Sequence, residues 1–262
     1  MPWIGTGQTI VAFFLPVGLP SATVQPCTIN MRIVTRKRLG QLIRGSAVLL
    51  LLGLAAPVKA QEAVSLSAKV VRLTGPVRYT LNGTTWKELK VGEELKPGVI
   101  VQTAKQNSSV DIQWTQGGAA TNSAGALELS ANLVRLYENS ALELRRLTAT
   151  GTGADRAEQS ELDLRAGQML GIVKPLPTLS RYEVITPSGA AGVQPGVPES
   201  ARTVFVLRAP GTLTVLSGTM LMAKADTEVH TQAVNADEQF DPATGQVTKL
   251  PQDAPERKLW HP

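Results

Sequence analysis

The 262-residue chain has the composition of a globular protein, with 43% hydrophobic and 18% charged residues. Its formal net charge of +5 would suggest an anionic partner such as nucleic acid. Residues 1–60 hold no acidic residue and six of the 26 basic ones, so the remainder carries 20 basic against 21 acidic residues. The positive charge therefore belongs to the N-terminal segment, and the argument for nucleic-acid binding is removed.

Residues 31–60 have the three parts of a secretory signal peptide. A cationic stretch precedes an apolar run at residues 47–56, and small residues lead to a cleavage site between Ala60 and Gln61. The run is about half of the roughly 20 residues that span a bilayer, which favours a cleaved leader over an anchor. We expect a helical signal peptide, export to the bacterial periplasm or medium, and no stable membrane span after cleavage.

Residues 1–30 contain an apolar patch but no positive charge, and Met31 begins a better leader. The sequence therefore predicts that translation starts at Met31 and that residues 1–30 are an upstream reading artefact, with a genuine disordered extension as the alternative. Cys27, the only cysteine, lies in this segment. The residues after Ala60 thus have no thiol for a disulfide or a thiolate metal site.

From residue 61 onward, short β-branched runs alternate with Gly, Pro and Asn-Gly turns, which is typical of antiparallel strands. In residues 138–147 the Leu and Glu content makes a helix the competing interpretation, but period two fits better. Residues 188–201 are predicted to form a surface loop, and the proline-containing residues 251–262 are predicted to form a flexible tail. Strands are predicted at residues 70–73, 77–81, 99–101, 110–114, 127–129, 133–137, 141–147, 162–173, 182–186, 204–207, 213–216, 219–223 and 229–234.

The fold predicted from these runs is all-β, an antiparallel meander that forms a sandwich or roll, with solenoid-like stacking as the alternative. One domain covers residues 61–250, and it divides into possible halves at 61–147 and 161–250. The segments Leu89–Leu95 and Leu164–Leu170 share the pattern L-x-small-G-x-x-L. The pattern suggests a repeated strand-turn-strand unit with a glycine at the turn.

Several of these segments form an ordered series of motifs that covers about two-thirds of the chain. They are V-x-x-x-G-x-V at residues 71–77, W-x-x-L-x-V-G-x-x-L-x-x-G-x-x-V-x-T at 86–103, L-x-L-x-x-G at 162–167, an aromatic-x-V-x-T-P strand at 182–187, and a G-x-x-x-V pair at 211–215 followed by acidic residues at 237–238. In this order the motifs resemble the FecR family, whose periplasmic domain was first recognised in the regulator of ferric citrate uptake.

The resemblance implies a free-standing exported FecR-like domain, because a leader stands where family regulators carry an anti-sigma segment and a transmembrane helix. Many relatives have a Gly-Val-Arg-Gly-Thr turn after the T-P strand, whereas this chain continues differently and has an apparent insertion. The resemblance places the best candidate contact region at residues 186–199. Its candidate residues are Thr186, Pro187, Gly192, Val193, Gln194 and Gly196.

No catalytic, cofactor or metal site is predicted. His230 and His261 are the only histidines, too few for a zinc site of three or four ligands, and His230 is interpreted as an ordinary strand residue. The acidic residues at 237, 238 and 241 do not follow the EF-hand spacing and are interpreted as a solvated turn. Four aromatic side chains could line a sugar-stacking face but are more typical of packing between strands: Tyr79, Trp86, Trp114 and Tyr182.

The sequence thus predicts a non-enzymatic, exported protein that acts through contacts with an envelope or secreted protein, in a signalling or regulatory role. The alternative is a carbohydrate-binding module of the cell envelope, which requires an exposed cluster of Tyr79, Trp86 and Trp114. An unrecognised hydrolase would require His230 within hydrogen-bond reach of a serine and a carboxylate.

Overall fold

The computed structural model describes residues 63–114, 131–152, 155–195, 202–225 and 231–260. These residues belong to one compact unit, Ala60–Pro262. The leader, its cleavage site, the 127–129 strand and most of the 188–201 segment's second half lie outside the described residues. No helix in the described part is long and apolar enough to cross a membrane.

The described regular structure is almost all β, with 59% strand and 4% helix, so the predicted all-β class is confirmed. Apolar residues alternate along most strands and face a shared core, as a half-buried sheet requires. The strands are β1 (Val64–Ser65), β2 (Ala68–Thr74), β3 (Val77–Thr80), β4 (Lys87–Glu88), β5 (Glu94–Leu95), β6 (Ile100–Thr103), β7 (Ser109–Trp114), β8 (Asn132–Leu136), β9 (Ala141–Thr150), β10 (Ala157–Ala166), β11 (Gln168–Val173), β12 (Arg181–Thr186), β13 (Gly189–Val193), β14 (Thr203–Arg208), β15 (Thr212–Ser217), β16 (Thr219–Lys224), β17 (Thr231–Asn235), β18 (Glu238–Asp241) and β19 (Gln246–Lys249).

The strands form two sheets, and each sheet grows in nearly the same order as the chain. Sheet A has the order β4-β3-β6-β9-β10-β12-β13-β16-β17, with β1 paired to β9, and sheet B has the order β5-β2-β7-β8-β11-β14-β15-β18-β19. Among the described pairs, β10 and β12 are parallel and the others antiparallel. The chain thus builds a two-layered sandwich by passing repeatedly between the sheets, which gives it the solenoid-like order.

A single apolar core joins the two sheets along the molecule. At its centre the Trp114 ring from sheet B stacks on Tyr182 from sheet A, with centroids 6.1 Å apart. Phe205 of sheet B meets Tyr182 edge-on at 6.2 Å. These aromatic pairs connect strands that are far apart in sequence. Each pair stabilises the fold by roughly 0.5–1.5 kcal/mol beyond the contribution of burying the two rings.

Residues with positive φ mark most points where the chain crosses between sheets. Such a residue turns the backbone sharply, and glycine, asparagine and aspartate tolerate the conformation best. The two L-x-small-G-x-x-L segments are two of these corners, with their glycines at β4–β5 and β10–β11. The crossing residues are Gly75, Gly92, Gly98, Asn107, Asn139, Gly167, Gly218 and Asp237.

The turns along one side of the sandwich are joined by backbone hydrogen bonds outside the strands. Ala104 N–H donates to Pro76 O at 3.1 Å, and Asn139 N–H donates to Ala104 O at 2.6 Å. Further along, Ala209 N–H donates to Gly167 O at 2.9 Å. Successive corners are therefore stacked on one another, which satisfies turn amides that would otherwise need water.

Residues 251–260 do not form the flexible tail that the sequence predicts. They include a 3-10 helix, Pro255–Leu259, and Leu259 and Trp260 pack against an apolar cluster on the outer face of sheet B. The prediction was wrong because this segment itself has few apolar residues. The apolar surface that it covers is contributed by sheet B. The cluster consists of Leu133, Leu170, Ile172, Val204 and Val206.

Candidate interaction site

The structure does not bring the five described members of the predicted contact set together on one surface. Residues 189–193, predicted as loop, form β13, which is paired to β12 on one side and β16 on the other. Its backbone edges are therefore already occupied. Thr186, Gly192 and Val193 are buried, Pro187 and Gln194 are exposed at opposite ends of β13, and Gly196 lies outside the described residues.

The aromatic cluster required by the carbohydrate-binding alternative is also not assembled. Trp114 is 1% exposed and lies in the core with Tyr182, whose pKa is raised by burial. Trp86 covers the Arg78 guanidinium on the outer side of sheet A, 4.4 Å from the ring centroid. Tyr79, the next residue after Arg78, packs toward the core instead because neighbouring strand residues face opposite sides.

The acidic residues at 237, 238 and 241, interpreted from the sequence as a solvated turn, each have a separate partner. Asp237 pairs with Arg257, Asp241 accepts the Ala243 N–H at 2.9 Å, and Glu238 contacts Asn235 and Lys249. Within the described ranges, no group of three or more His, Cys, Asp or Glu residues could hold a metal ion. His230, on which the hydrolase alternative depends, lies outside those ranges.

A buried polar cluster closes the other side of the sandwich, near the ends of β10 and β11. Lys174 Nζ lies 3.0 Å from Glu158 Oε2, with both side chains less than one-tenth exposed. The Lys174 N–H donates to Asn132 Oδ1, and the Glu158 N–H donates to Ser180 Oγ. Arg156 Nε also donates to Glu158 Oε1 at 3.3 Å, so the buried carboxylate has two cationic partners, as a buried ion pair needs.

The two ends of the sandwich differ in their edge strands. At the end nearer the N-terminus, β4 and β5 have two residues each and carry Lys87, Glu88 and Glu94. At the other end, β17 has five residues and β19 has four. No described strand pairs with the outer edge of either. Short or charged edges resist strand addition, whereas a longer uncharged edge permits it.

In the part of the chain that the structure describes, strand β17 shows few of the features that protect an edge. Its sequence, Thr-Gln-Ala-Val-Asn, contains no charge, proline or glycine. It pairs with β16 over five consecutive positions without a bulge. Only Val234 is buried, and the other four residues are exposed. We therefore take the outer edge of β17 as the candidate interaction site.

A polar link holds β17 to sheet B at one end of this edge. The Asn235 N–H donates to Glu238 Oε2 at 2.9 Å, and Lys249 Nζ lies 2.9 Å from Glu238 Oε1. The Asn235 amide first, and then Lys249, hold the pKa of Glu238 below its usual value. This link holds β17, the last strand of sheet A, in its position above β18 of sheet B.

No family model matches this chain, and no curated protein matches it. The site therefore has to be interpreted from its own geometry. Sequence reasoning missed it because β17 was grouped with residues 229–230 as one more strand of a meander. No local sequence pattern identifies this edge, because it depends on which sheet each strand joins.

Proposed function

We propose that the chain, after removal of its leader, is an exported FecR-like domain that performs no catalysis and binds another protein of the cell envelope or the secreted fraction. The order of the strand-and-turn motifs supports the family assignment. The signal-peptide pattern of residues 31–60 supports a periplasmic or extracellular location in a bacterium. The observation that carries the binding function is the open end of the sandwich, where β17 presents an unprotected edge.

The mechanism is presentation of a rigid surface. The continuous core and the stacked corners hold both sheets in place, so little backbone ordering is required when a partner binds. A preorganised surface keeps more of its contact energy as affinity. A signalling or regulatory role follows if binding competes with another contact of the same partner.

The test begins with export. The full chain is produced with its leader in a bacterial host, and the periplasmic and medium fractions are examined by intact mass. We expect a product that begins at Gln61. A product that stays in the cytosol with residues 31–60 attached would contradict the export part of the proposal.

The binding function is tested with the exported product immobilised on a resin and exposed to solubilised envelope and secreted proteins. We expect one protein to be retained, to be competed away by excess soluble chain, and to bind again after purification. Retention of glycans without protein would favour the carbohydrate-binding alternative. Absence of any competed protein would contradict the proposal.

A further inference from the structure

The two sheets do not end at the same place. The last strand of sheet A, β17, contacts β15 and β18 of sheet B. Sheet B continues beyond them by one more strand, β19, whose main contact is β18. Neighbouring strands lie about 4.8 Å apart, so sheet B overhangs sheet A by roughly one strand width. We call the resulting space the terminal step: the edge of β17 is its wall and β19 is its floor.

The floor of the terminal step presents Val247 and Lys249, which are two residues apart and therefore face the same side. Val247 is partly buried against the core, so this side is the one that faces sheet A. Lys249 is 77% exposed, and its partner Glu238 reaches the β17 backbone. Gln246 and Thr248 face the opposite side of β19. The floor thus offers an apolar spot and, two positions along, a cation.

A second copy of this chain does not fit the terminal step by antiparallel pairing of β17 with itself. Such a pair is related by a two-fold axis perpendicular to the sheet, which puts both B sheets on the same side. Each β19 would then occupy the space beneath the other copy's β17, where β18 already lies. The overhang has room for one extended strand that brings no second sheet of its own. It has no room for another two-sheet sandwich.

We propose that the terminal step binds a single extended segment of a partner protein, added as a strand beside β17. This inference rests on the proposed function and specifies the partner's chemistry. The segment carries an apolar side chain above Val247 and a carboxylate two residues away, beside Lys249. Main-chain hydrogen bonds to β17 supply affinity, and the two alternate side chains supply specificity, as in other cases of strand addition.

The test uses a display library of random nine-residue peptides panned against the exported chain. We expect enriched peptides with an apolar and an acidic residue two positions apart. Two variants remove edge donors, Gln232→Pro and Ala233→Pro. The N–H groups of adjacent strand residues point to opposite edges of the strand. One of the two prolines therefore removes an N–H that points away from β16 and leaves the sheet intact, and the other removes an N–H that pairs with β16 and destabilises the sheet. The variant that keeps the wild-type melting temperature should lower peptide affinity about tenfold.

A charge reversal then tests the floor. Lys249→Glu should replace the acidic preference of the selected peptides by a basic one, whereas Thr248→Glu, on the opposite side of β19, should leave it unchanged. Enrichment of no peptide, affinity that is equal in the folded proline variant, or an unchanged charge preference in Lys249→Glu would overturn the inference. A β17-dependent dimer in sedimentation velocity would also overturn it.

These outcomes are separable from those of the proposed function. If the exported chain retains a competed envelope protein but neither proline variant nor Lys249→Glu weakens that binding, the function stands and the terminal step is not its site. If no protein is retained at all, the proposed function itself fails.

Discussion

Gly167 is the residue at which the chain turns from β10 in sheet A into β11 in sheet B. Its φ is +82°, and an added Cβ would lie 2.0 Å from Ser140 Oγ and 2.5 Å from Ser140 Cα. Gly167→Ala therefore combines left-handed strain with overpacking, and we expect it to lower the free energy of unfolding by roughly 3 kcal/mol. Urea unfolding monitored by tryptophan fluorescence measures the change.

The matched control is Gly245→Ala in the β18–β19 turn. Gly245 also has a positive φ, +70°, but nothing lies within 4 Å of an added Cβ. Only the backbone strain remains, so this variant should lose about 1 kcal/mol. Equal losses in the two variants would show that the contact between the Gly167 and Ser140 turns does not matter.

Glu238 makes the stability of the open end depend on pH. The Asn235 amide and Lys249 hold its pKa below the usual value of 4.5, so the folded state binds a proton less readily than the unfolded state. The stabilisation is present above pH 4.5 and is lost as the pH falls through the lower folded value. We expect Glu238→Gln to flatten the loss of stability below pH 5, measured as urea midpoints between pH 3 and 7.

Glu88→Gln controls for removal of a carboxylate, because Glu88 is exposed on β4 at the other end of the molecule. The wild-type acid dependence should persist in this variant. If Glu238→Gln and the wild type lose stability in parallel as the pH falls, the link between Glu238 and β17 does not stabilise the fold.

Arg257 anchors the C-terminal element to the sandwich. Its Nε donates to Pro251 O at 3.0 Å, its Nη2 donates to Leu250 O at 3.2 Å, and Nη1 binds Asp237. We expect Arg257→Ala to lower the unfolding free energy by about 1 kcal/mol and to increase binding of the dye ANS. The dye should respond because a loosened tail uncovers the apolar cluster on the outer face of sheet B.

Lys258→Ala is the neighbouring control, since Lys258 is exposed, and its effect should stay within about 0.5 kcal/mol. An unchanged ANS signal in Arg257→Ala would mean that the packing of Leu259 and Trp260 alone holds the tail.

The strands that could be predicted from the sequence are those whose own residues favour the strand conformation. Runs such as Val110–Trp114 and Val204–Leu207 alternate or concentrate β-branched residues and became β7 and β14. Several strands were missed, among them β18 and β19, and two further segments were assigned wrongly because contacts with other strands determine them. The Gly-Ala-Ala-Gly-Val segment of β13 has weak strand propensity and is held by β12 and β16 on both sides. Residues 251–260 depend on an apolar face contributed by three other strands.

The arrangement of the whole molecule could not be derived from local patterns. Alternation predicts that a segment is a strand but does not say which sheet it joins, and successive segments here alternate between two sheets. The candidate site depends on this arrangement, because the terminal step exists only where one sheet extends by a strand beyond the other.

Unfolding of the chain from residue 61 onward is expected to be one cooperative transition. The possible halves, 61–147 and 161–250, meet along β9 and β10, which pair over most of their ten residues each. The stacked rings of Trp114 and Tyr182 also come from different halves. Separating the halves would expose this shared core, so neither should remain folded alone.

The measurement is urea unfolding followed in parallel by tryptophan fluorescence and far-ultraviolet circular dichroism. The fluorescence reports on Trp114 in the shared core together with Trp86 and Trp260, whereas the dichroism reports on all strands. For one cooperative transition the two curves should superimpose. Chains limited to residues 61–147 and 161–262 should each lack a cooperative transition. Two resolved transitions, or a folded half, would show that the solenoid-like order lets the sandwich unfold piece by piece, as repeat proteins do when coupling between neighbours is weak.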